Sequence, residues 1–127
     1  MTTWATDLQT ITLFVEDLPA SKRFYLDVFA LPVHFEDAES VVFKIGTVLV
    51  NLLTVSAAPE LVEPAAVGAA GAGTRFVLTI QVDDVDAVAA EVVSRGAKLL
   101  NGPIDRPWGV RTASFTDPSG YVWEIAS

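Results

Sequence analysis

One pattern of apolar and polar positions occurs twice along this chain. Residues 10–18 and 77–85 both alternate between apolar and polar side chains and then reach an acidic pair. Such alternation predicts a strand that runs into the start of a helix. The matching positions share one offset of 67 residues (78 − 11) and are Ile11/Leu78, Thr12/Thr79, Leu13/Ile80, Val15/Val82, Asp17/Asp84 and Leu18/Val85. The sequence therefore indicates an internal duplication.

The first half predicts a strand, a helix and three further strands. The strand Gln9–Val15 is followed by Asp17 as a helix N-cap, and apolar residues at helical spacing extend the helix to about Ala30, before Pro32. The remaining strands are predicted at residues 33–35, 41–45 and 48–55, the last two joined by a glycine-first turn at residues 46–47. These elements define a first module at residues 8–55.

The second half repeats this order and defines a second module at residues 75–127. A strand at residues 76–82 precedes a helix that is capped by Asp84 and ended by Gly96. The helix carries an apolar stripe of Val85, Val88, Ala89, Val92 and Val93. Further strands are predicted at residues 97–101, 110–116 and 121–126, with a type I turn at residues 117–120.

The predicted architecture is α+β, with two βαβββ modules forming a curved mixed sheet around a cavity and the helices outside. Each amphipathic helix must bury its stripe on a sheet, which leaves the other strand faces for the cavity. Residues 56–74 are rich in Ala, Gly and Pro. They are either a flexible linker between the modules or a lid over a site.

Composition narrows the class of protein. The 127 residues are 51% hydrophobic and 19% charged, which favours one compact domain over residues 1–127. No apolar run approaches the length of a membrane helix, and no signal peptide is recognisable. Cysteine is absent, which fits a cytoplasmic protein and excludes thiolate metal sites. The net charge of −8 disfavours nucleic acid and favours a cationic ligand, although acidity that serves only solubility explains it equally well.

The chain resembles the vicinal oxygen chelate superfamily, also called the glyoxalase/bleomycin resistance/dioxygenase fold. The resemblance covers nearly the whole chain. It rests on the sequence segments at residues 15–18, 82–85 and 117–125, together with Ser21, Phe24 and Tyr25. It implies the fold. It leaves the function open, because the superfamily includes lyases, isomerases, dioxygenases, thiol transferases and non-catalytic drug-binding proteins.

The resemblance also implies where metal ligands would stand. Enzymes of the superfamily place His, Gln or Glu on four cavity strands, and those positions here are Thr10, Asn51, Val77 and Glu124. Only Glu124 is an ordinary ligand of a transition metal. The single histidine, His34, lies on a different short strand. We therefore predict no metal and no cofactor.

Nine residues form the predicted ligand site, and the loop at residues 108–111 resembles the bleomycin resistance branch. Trp108 would stack on a ligand or merely anchor its loop. Arg111 would contact an anion, pair with Glu124 or simply lie exposed at the surface. Glu124 lies between apolar strand neighbours, where it would attract a cation, act as a general base or remain as a relic. The complete set is Thr10, Thr12, Phe14, Asn51, Thr79, Gln81, Trp108, Arg111 and Glu124.

Three function classes remain open at this point. The first is metal-free binding of a bulky, partly aromatic and cationic molecule, as in drug sequestration and antibiotic resistance. The second is an enzyme, a lyase, isomerase or dioxygenase, that uses Glu124 as base or an unusual metal shell. The third is a regulatory domain with a vestigial cavity. We also expect a homodimer, since uncovered sheet edges favour pairing of modules within or between chains.

Overall fold

A computed structural model describes residues 3–127, so the first two residues of the predicted lead-in lie outside the described residues. The strands are β1 Thr10–Val15, β2 Phe35–Glu36, β3 Ser40–Ile45, β4 Val48–Thr54, β5 Val77–Gln81, β6 Leu99–Asp105, β7 Arg111–Thr116 and β8 Val122–Ala126. The helices are α1 Leu18–Asp27, α2 Pro59–Val62 and α3 Val85–Ser94, with a 3₁₀ turn at Ala70–Ala72. Within residues 3–127, no helix is long and apolar enough to cross a membrane.

The two halves of the chain build two sheets with the same topology. The first sheet has the order β1-β4-β3-β2 and the second has the order β5-β8-β7-β6. In each, the first strand pairs in parallel with the last strand of its module, and the other pairings are antiparallel. The predicted α+β class with two βαβββ modules is confirmed.

Both long helices begin where the duplicated pattern predicts. The Asp17 carboxylate accepts a hydrogen bond from the Ala20 amide at 3.0 Å, and Asp84 accepts one from the Ala87 amide at 3.1 Å. Each aspartate thereby satisfies an amide that the first helical turn leaves unpaired. The repeated acidic residue is thus a structural device of both modules.

One hydrophobic core is shared by the two sheets and the two long helices. It includes Leu13 and Leu52 from the first sheet and Phe115 and Ile125 from the second, all almost fully buried. Helix α1 packs on β3 and β4, and α3 packs on β6, β7 and β8. Since both helix-bearing sheet faces contribute to this core, the opposite faces lie on the outside of the chain.

The structure differs from the prediction at several element ends. Helix α1 ends at Asp27 rather than near Ala30, because Ala30 takes a left-handed φ of 55° that breaks helical geometry. The strand predicted at residues 33–35 is instead the two-residue β2. Strand β6, predicted at residues 97–101, begins at Leu99 and continues to Asp105, past a glycine and a proline. It is an edge strand, where a missing amide hydrogen costs no ladder bond.

Candidate functional site

Two polar pairs occupy equivalent positions on the outward faces of the two sheets. Thr12 lies opposite Asn51 in the β1–β4 register, and Thr79 lies opposite Glu124 in the β5–β8 register. The hydroxyl of Thr79 donates to Glu124 Oε1 at 2.9 Å, whereas Asn51 Nδ2 reaches the Thr12 hydroxyl only at 3.4 Å. The duplication therefore places one threonine–acceptor pair on each outward face, between the edge strand and its neighbour.

The first pair contains an unused acceptor. Asn51 Oδ1 is buried, yet it has no hydrogen-bond partner among the described residues. A buried carbonyl oxygen without a donor is costly and uncommon. A ligand that presents an N–H or O–H group to this face would relieve that cost.

The structure does not bring the two pairs together within one chain. Their side chains project from the faces opposite the shared core. Thr79 is exposed, while Asn51 and Glu124 are half-buried. The two cavities described at the surface, of about 520 and 500 Å³, are lined by neither pair. A cavity that contains both pairs requires a second face from outside the chain.

The other predicted site residues are dispersed. Thr10 stands at the start of β1, and Gln81 is exposed at the end of β5. Phe14 borders the 520 Å³ cavity, at the opposite end of β1 from Thr10. Trp108 is 72% exposed in the loop between β6 and β7, where its ring is free to contact a ligand or another chain.

Arg111 has partners other than Glu124. Its guanidinium donates to both carboxylate oxygens of Asp86, at 2.8 and 3.0 Å, and to Asp105 at 3.0 Å. The hydrogen bonds from Arg111 hold the pKa of the Asp86 carboxyl below its ordinary value. The interpretation of Arg111 as the ion-pair partner of Glu124 is therefore wrong, and Thr79 supplies the contact to Glu124.

The residues present do not fit a transition-metal site. Of the four positions implied by the family resemblance, Val77 has no donor atom and Thr10 offers only a hydroxyl. His34 is exposed and lies beside β2, and its amide donates to Val42 O. In the part of the chain that the structure describes, no three His, Cys, Asp or Glu side chains form a group able to hold a metal ion.

Sequence reasoning missed a buried hydrogen-bond relay that joins the modules. Trp123 Nε1 donates to the Tyr25 hydroxyl at 2.9 Å, and that hydroxyl donates to Asp117 Oδ2 at 2.7 Å. Asp117 Oδ1 also accepts from the amides of Ser119 and Tyr121. Burial nevertheless raises the pKa of the Asp117 carboxyl. The phrase at residues 117–125 was a signal of the fold, but its partner on α1 could not be found from sequence spacing.

A second junction contact lies at the end of β1. The Tyr121 hydroxyl accepts from the Phe14 amide at 3.0 Å and donates to the Phe14 carbonyl oxygen at 2.8 Å. These are the backbone groups that β1, as an edge strand, leaves without a strand partner. Tyr121 thereby fixes the free edge of the first sheet to the second module.

Comparison with known proteins agrees with this architecture. Residues 7–125 match the sequence profile of the Glyoxalase/Bleomycin resistance protein/Dioxygenase superfamily. The uncharacterised protein YraH of Bacillus subtilis (strain 168) is 33% identical over 122 residues, which cover 93% of this chain and 95% of YraH.

Solved structures share the fold. A glyoxalase-related enzyme from Fulvimarina pelagi superimposes with a TM-score of 0.80 at 26% identity, covering 94% of this chain and 86% of the other. A glyoxalase/bleomycin resistance protein/dioxygenase from Nocardioides gives a TM-score of 0.86 at 22% identity, covering 98% and 85%. With its duplicated topology and the profile match over almost its full length, the chain belongs to the Glyoxalase/Bleomycin resistance protein/Dioxygenase superfamily.

Proposed function

We propose that this protein binds a bulky, partly aromatic, cationic organic molecule without a metal, as a sequestering protein does. The observation that carries the proposal is the composition of the two polar pairs. They offer one carboxylate, one unused amide oxygen and two hydroxyls, a set suited to hydrogen bonding rather than to metal coordination.

Glu124 gives the proposed site its preference for positively charged ligands. Its Oε1 accepts from Thr79, and Oε2 makes no hydrogen bond within residues 3–127. A ligand cation that displaces water from this carboxylate gains more from the contact than it would in bulk solvent. The net charge of −8 adds a long-range attraction for the same class of ligand.

The complete cavity is proposed to form between two copies of the chain. The face with Thr12 and Asn51 in one protomer would meet the face with Thr79 and Glu124 in its partner. β1 and β5 both lie at sheet edges, and Val77 is 48% exposed beside the second pair. A second copy would cover this apolar surface and enclose the ligand. Trp108, which is exposed, would supply a stacking surface.

An enzymatic role is the second candidate. The hydrogen bond from Thr79 orients the Glu124 carboxylate, as a general base must be oriented, and a related structure from Fulvimarina pelagi is described as a glyoxalase-related enzyme. The missing metal ligands favour binding without chemistry over this alternative.

The test is a thermal-shift screen with cationic aromatic compounds and their neutral analogues of the same shape. Ligands that bind the folded state raise the melting temperature by mass action. We expect Glu124→Gln to weaken the binding of cationic ligands selectively. Trp108→Ala should weaken cationic and neutral ligands about tenfold, since the ligand and the second chain would cover this exposed ring in the complex. Glu60→Gln, which removes an exposed carboxylate from α2, is the matched control.

Two results would contradict the proposal. One is a screen that yields only anionic ligands, or only ligands whose affinity neither Glu124→Gln nor Trp108→Ala changes. The other is stoichiometric zinc, iron, nickel or manganese retained through purification without added metal and lost in Glu124→Ala. Turnover of a recovered ligand that disappears in Glu124→Gln would establish the enzymatic candidate instead.

A further inference from the structure

A separate cavity of about 520 Å³ lies where the two modules and the connecting segment meet. It is bounded by Phe14 and Glu16 at the end of β1, by residues 68–76, and by residues 119–121 of the turn before β8. We name it the junction cavity. Its volume falls in the range of small-molecule sites, which is about 300–1,000 Å³. Eight of the nine residues predicted from sequence for the ligand site lie elsewhere, and only Phe14 is shared.

Aromatic rings form one wall of the junction cavity. The rings of Phe76 and Tyr121 have centroids 5.9 Å apart and planes inclined by 41°. The Tyr121 hydroxyl is already engaged with both backbone groups of Phe14. Tyr121 therefore offers its ring and not its hydroxyl, so this wall suits a flat apolar group.

Two opposite charges line the same cavity and do not pair with each other. Within residues 3–127, neither Glu16 nor Arg75 forms a salt bridge, although both border the junction cavity. The pKa of Tyr121 is raised, chiefly by burial, and the negative charges of Asp117 and Glu16 add to the rise. The Glu16 charge is therefore close enough to act on the cavity wall.

The duplication places a carboxylate at this position in both modules, but only the Glu16 copy borders a cavity. Its counterpart at the offset of 67 residues is Asp83 (83 − 16), which is exposed and lines neither cavity described here. Both residues precede the N-cap aspartate of a helix. Only Glu16 faces the segment at residues 68–76, so its position in the cavity comes from the fold of that segment.

We propose that the junction cavity binds a small zwitterion with an aromatic body, of the class of aromatic dipeptides. Arg75 would hold the carboxylate end, Glu16 would hold the ammonium end, and Phe76 with Tyr121 would contact the ring. This goes beyond the cationic-ligand site proposed above, which lies on the outward sheet faces and requires a second chain.

A simple anion is the competing occupant. The segment from Gly68 to Gly73 borders the cavity next to Arg75 and contains three glycines, whose unshielded backbone would also suit a phosphate group. The carboxylate of Glu16 repels such an anion and attracts an ammonium group. Inorganic phosphate therefore belongs in the test as a rival probe.

The experiment measures binding of phenylalanylglycine by amide chemical-shift changes in the ¹⁵N-labelled full chain. Its N-acetyl derivative lacks the ammonium charge, and its C-terminal amide lacks the carboxylate. We expect saturable binding at micromolar to millimolar concentration, with changes centred on the amides of Gly68, Gly71 and Gly73. Each capped derivative should bind about fivefold more weakly than the zwitterion, as the loss of one partly exposed ion pair predicts.

Substitutions assign each end of the probe. In Glu16→Gln, N-acetylation of the probe should no longer weaken binding, whereas amidation of its C-terminus still should. In Arg75→Gln, amidation should no longer weaken binding, whereas N-acetylation still should. Asp83→Asn and Lys98→Gln, which remove exposed charges elsewhere, should retain both effects.

Several outcomes would overturn the proposal. One is the absence of binding in the millimolar range, and another is equal binding of phenylalanylglycine and its two capped derivatives. A third is chemical-shift changes centred on Asn51 and Thr79. The last is that inorganic phosphate shifts the glycine amides and phenylalanylglycine does not. Because the readout is local, failure here leaves the outward-face site standing, and failure of that site leaves this one standing.

Discussion

At the scale of single residues, the Tyr25 hydroxyl is the most consequential polar atom of the core. It is both acceptor for Trp123 and donor to Asp117, and all three side chains are buried. Burial, with the charge and hydrogen bond of Asp117, raises the pKa of Tyr25 far above its ordinary value, so the hydroxyl stays protonated and able to donate. One atom thus connects a helix of the first module to a turn and a strand of the second.

Removing this hydroxyl should destabilise the fold. Tyr25→Phe leaves Asp117 Oδ2 and Trp123 Nε1 buried without their partner, and we expect a loss of about 1–3 kcal/mol in the free energy of unfolding. Tyr121→Phe deletes the same atom at a half-buried position, where water can replace it, and should cost less. Denaturant unfolding of the two variants makes the comparison, and a larger loss in Tyr121→Phe would contradict it.

Asp117 should also make stability depend on pH. Its folded-state pKa is raised above the ordinary value of 3.8, so the favourable contribution is complete below 3.8 and is lost as pH rises through the folded-state pKa. Exposed Asp37 and Asp86 have lowered pKa values and act in the opposite direction. The measurement is therefore the difference in unfolding free energy between the wild type and Asp117→Asn. As pH rises above 3.8, the wild type should lose stability relative to Asp117→Asn. A difference that does not vary with pH would show that Asp117 does not titrate in this way.

At the scale of elements, β6 depends on one glycine. Gly102 has a φ of 81°, and a Cβ built there would stand 2.4 Å from Thr112 O and 2.8 Å from Ala113 Cα. The register between β6 and β7 shifts across this part of the strand. Glycine is required here both by the backbone angle and by the contact between the two strands.

Gly102→Ala should therefore destabilise the protein more than a glycine substitution that meets only the backbone cost. Gly46 has a φ of 59° with nothing within 4 Å of its built Cβ, so Gly46→Ala isolates that cost, about 1–2 kcal/mol. The clash with β7 should add about 1–3 kcal/mol in Gly102→Ala. Thermal and denaturant unfolding would measure both, and equal losses would mean that β6 moves aside.

The elements were largely predictable because the determining signals are local. The alternation of β1 and β5 and the caps at Asp17 and Asp84 act within a few residues of themselves. The end of β6 was not predictable in the same way. In the sequence, Gly102 predicts the end of a strand. In the fold, β6 continues past it because β6 lies at the sheet edge and pairs with β7.

The site was less predictable than the fold for a related reason. Strand alternation predicted the outward direction of Thr12 and Thr79, and the family resemblance supplied Asn51 and Glu124, which the strand register sets opposite them. Alternation could not show that the two faces are separated by a shared core, since that depends on long-range packing. Similarly, the pairing of Arg111 with Asp86 joins a strand to a helix 25 residues away.

At the scale of the whole molecule, the proposed ligand cavity requires a homodimer. A stable interface buries roughly 1,200–2,000 Å² in total and places apolar side chains at its centre. The outward face of the second sheet carries exposed Val77 in line with Thr79, at the free edge formed by β5. A charge introduced on this face would have to be buried without a partner when two copies meet.

Val77→Lys should accordingly convert the proposed dimer to a monomer. Val93→Lys is the matched control, because Val93 is 47% exposed against 48% for Val77 but lies on α3, which packs on the opposite side of the second sheet. Light scattering at micromolar concentration should give a dimer mass for the wild type and Val93→Lys and a monomer mass for Val77→Lys. The monomeric variant should also lose affinity for ligands found with the wild type, since each chain then presents only half of the site. A wild-type monomer, or a Val77→Lys dimer with unchanged affinity, would contradict the proposed assembly.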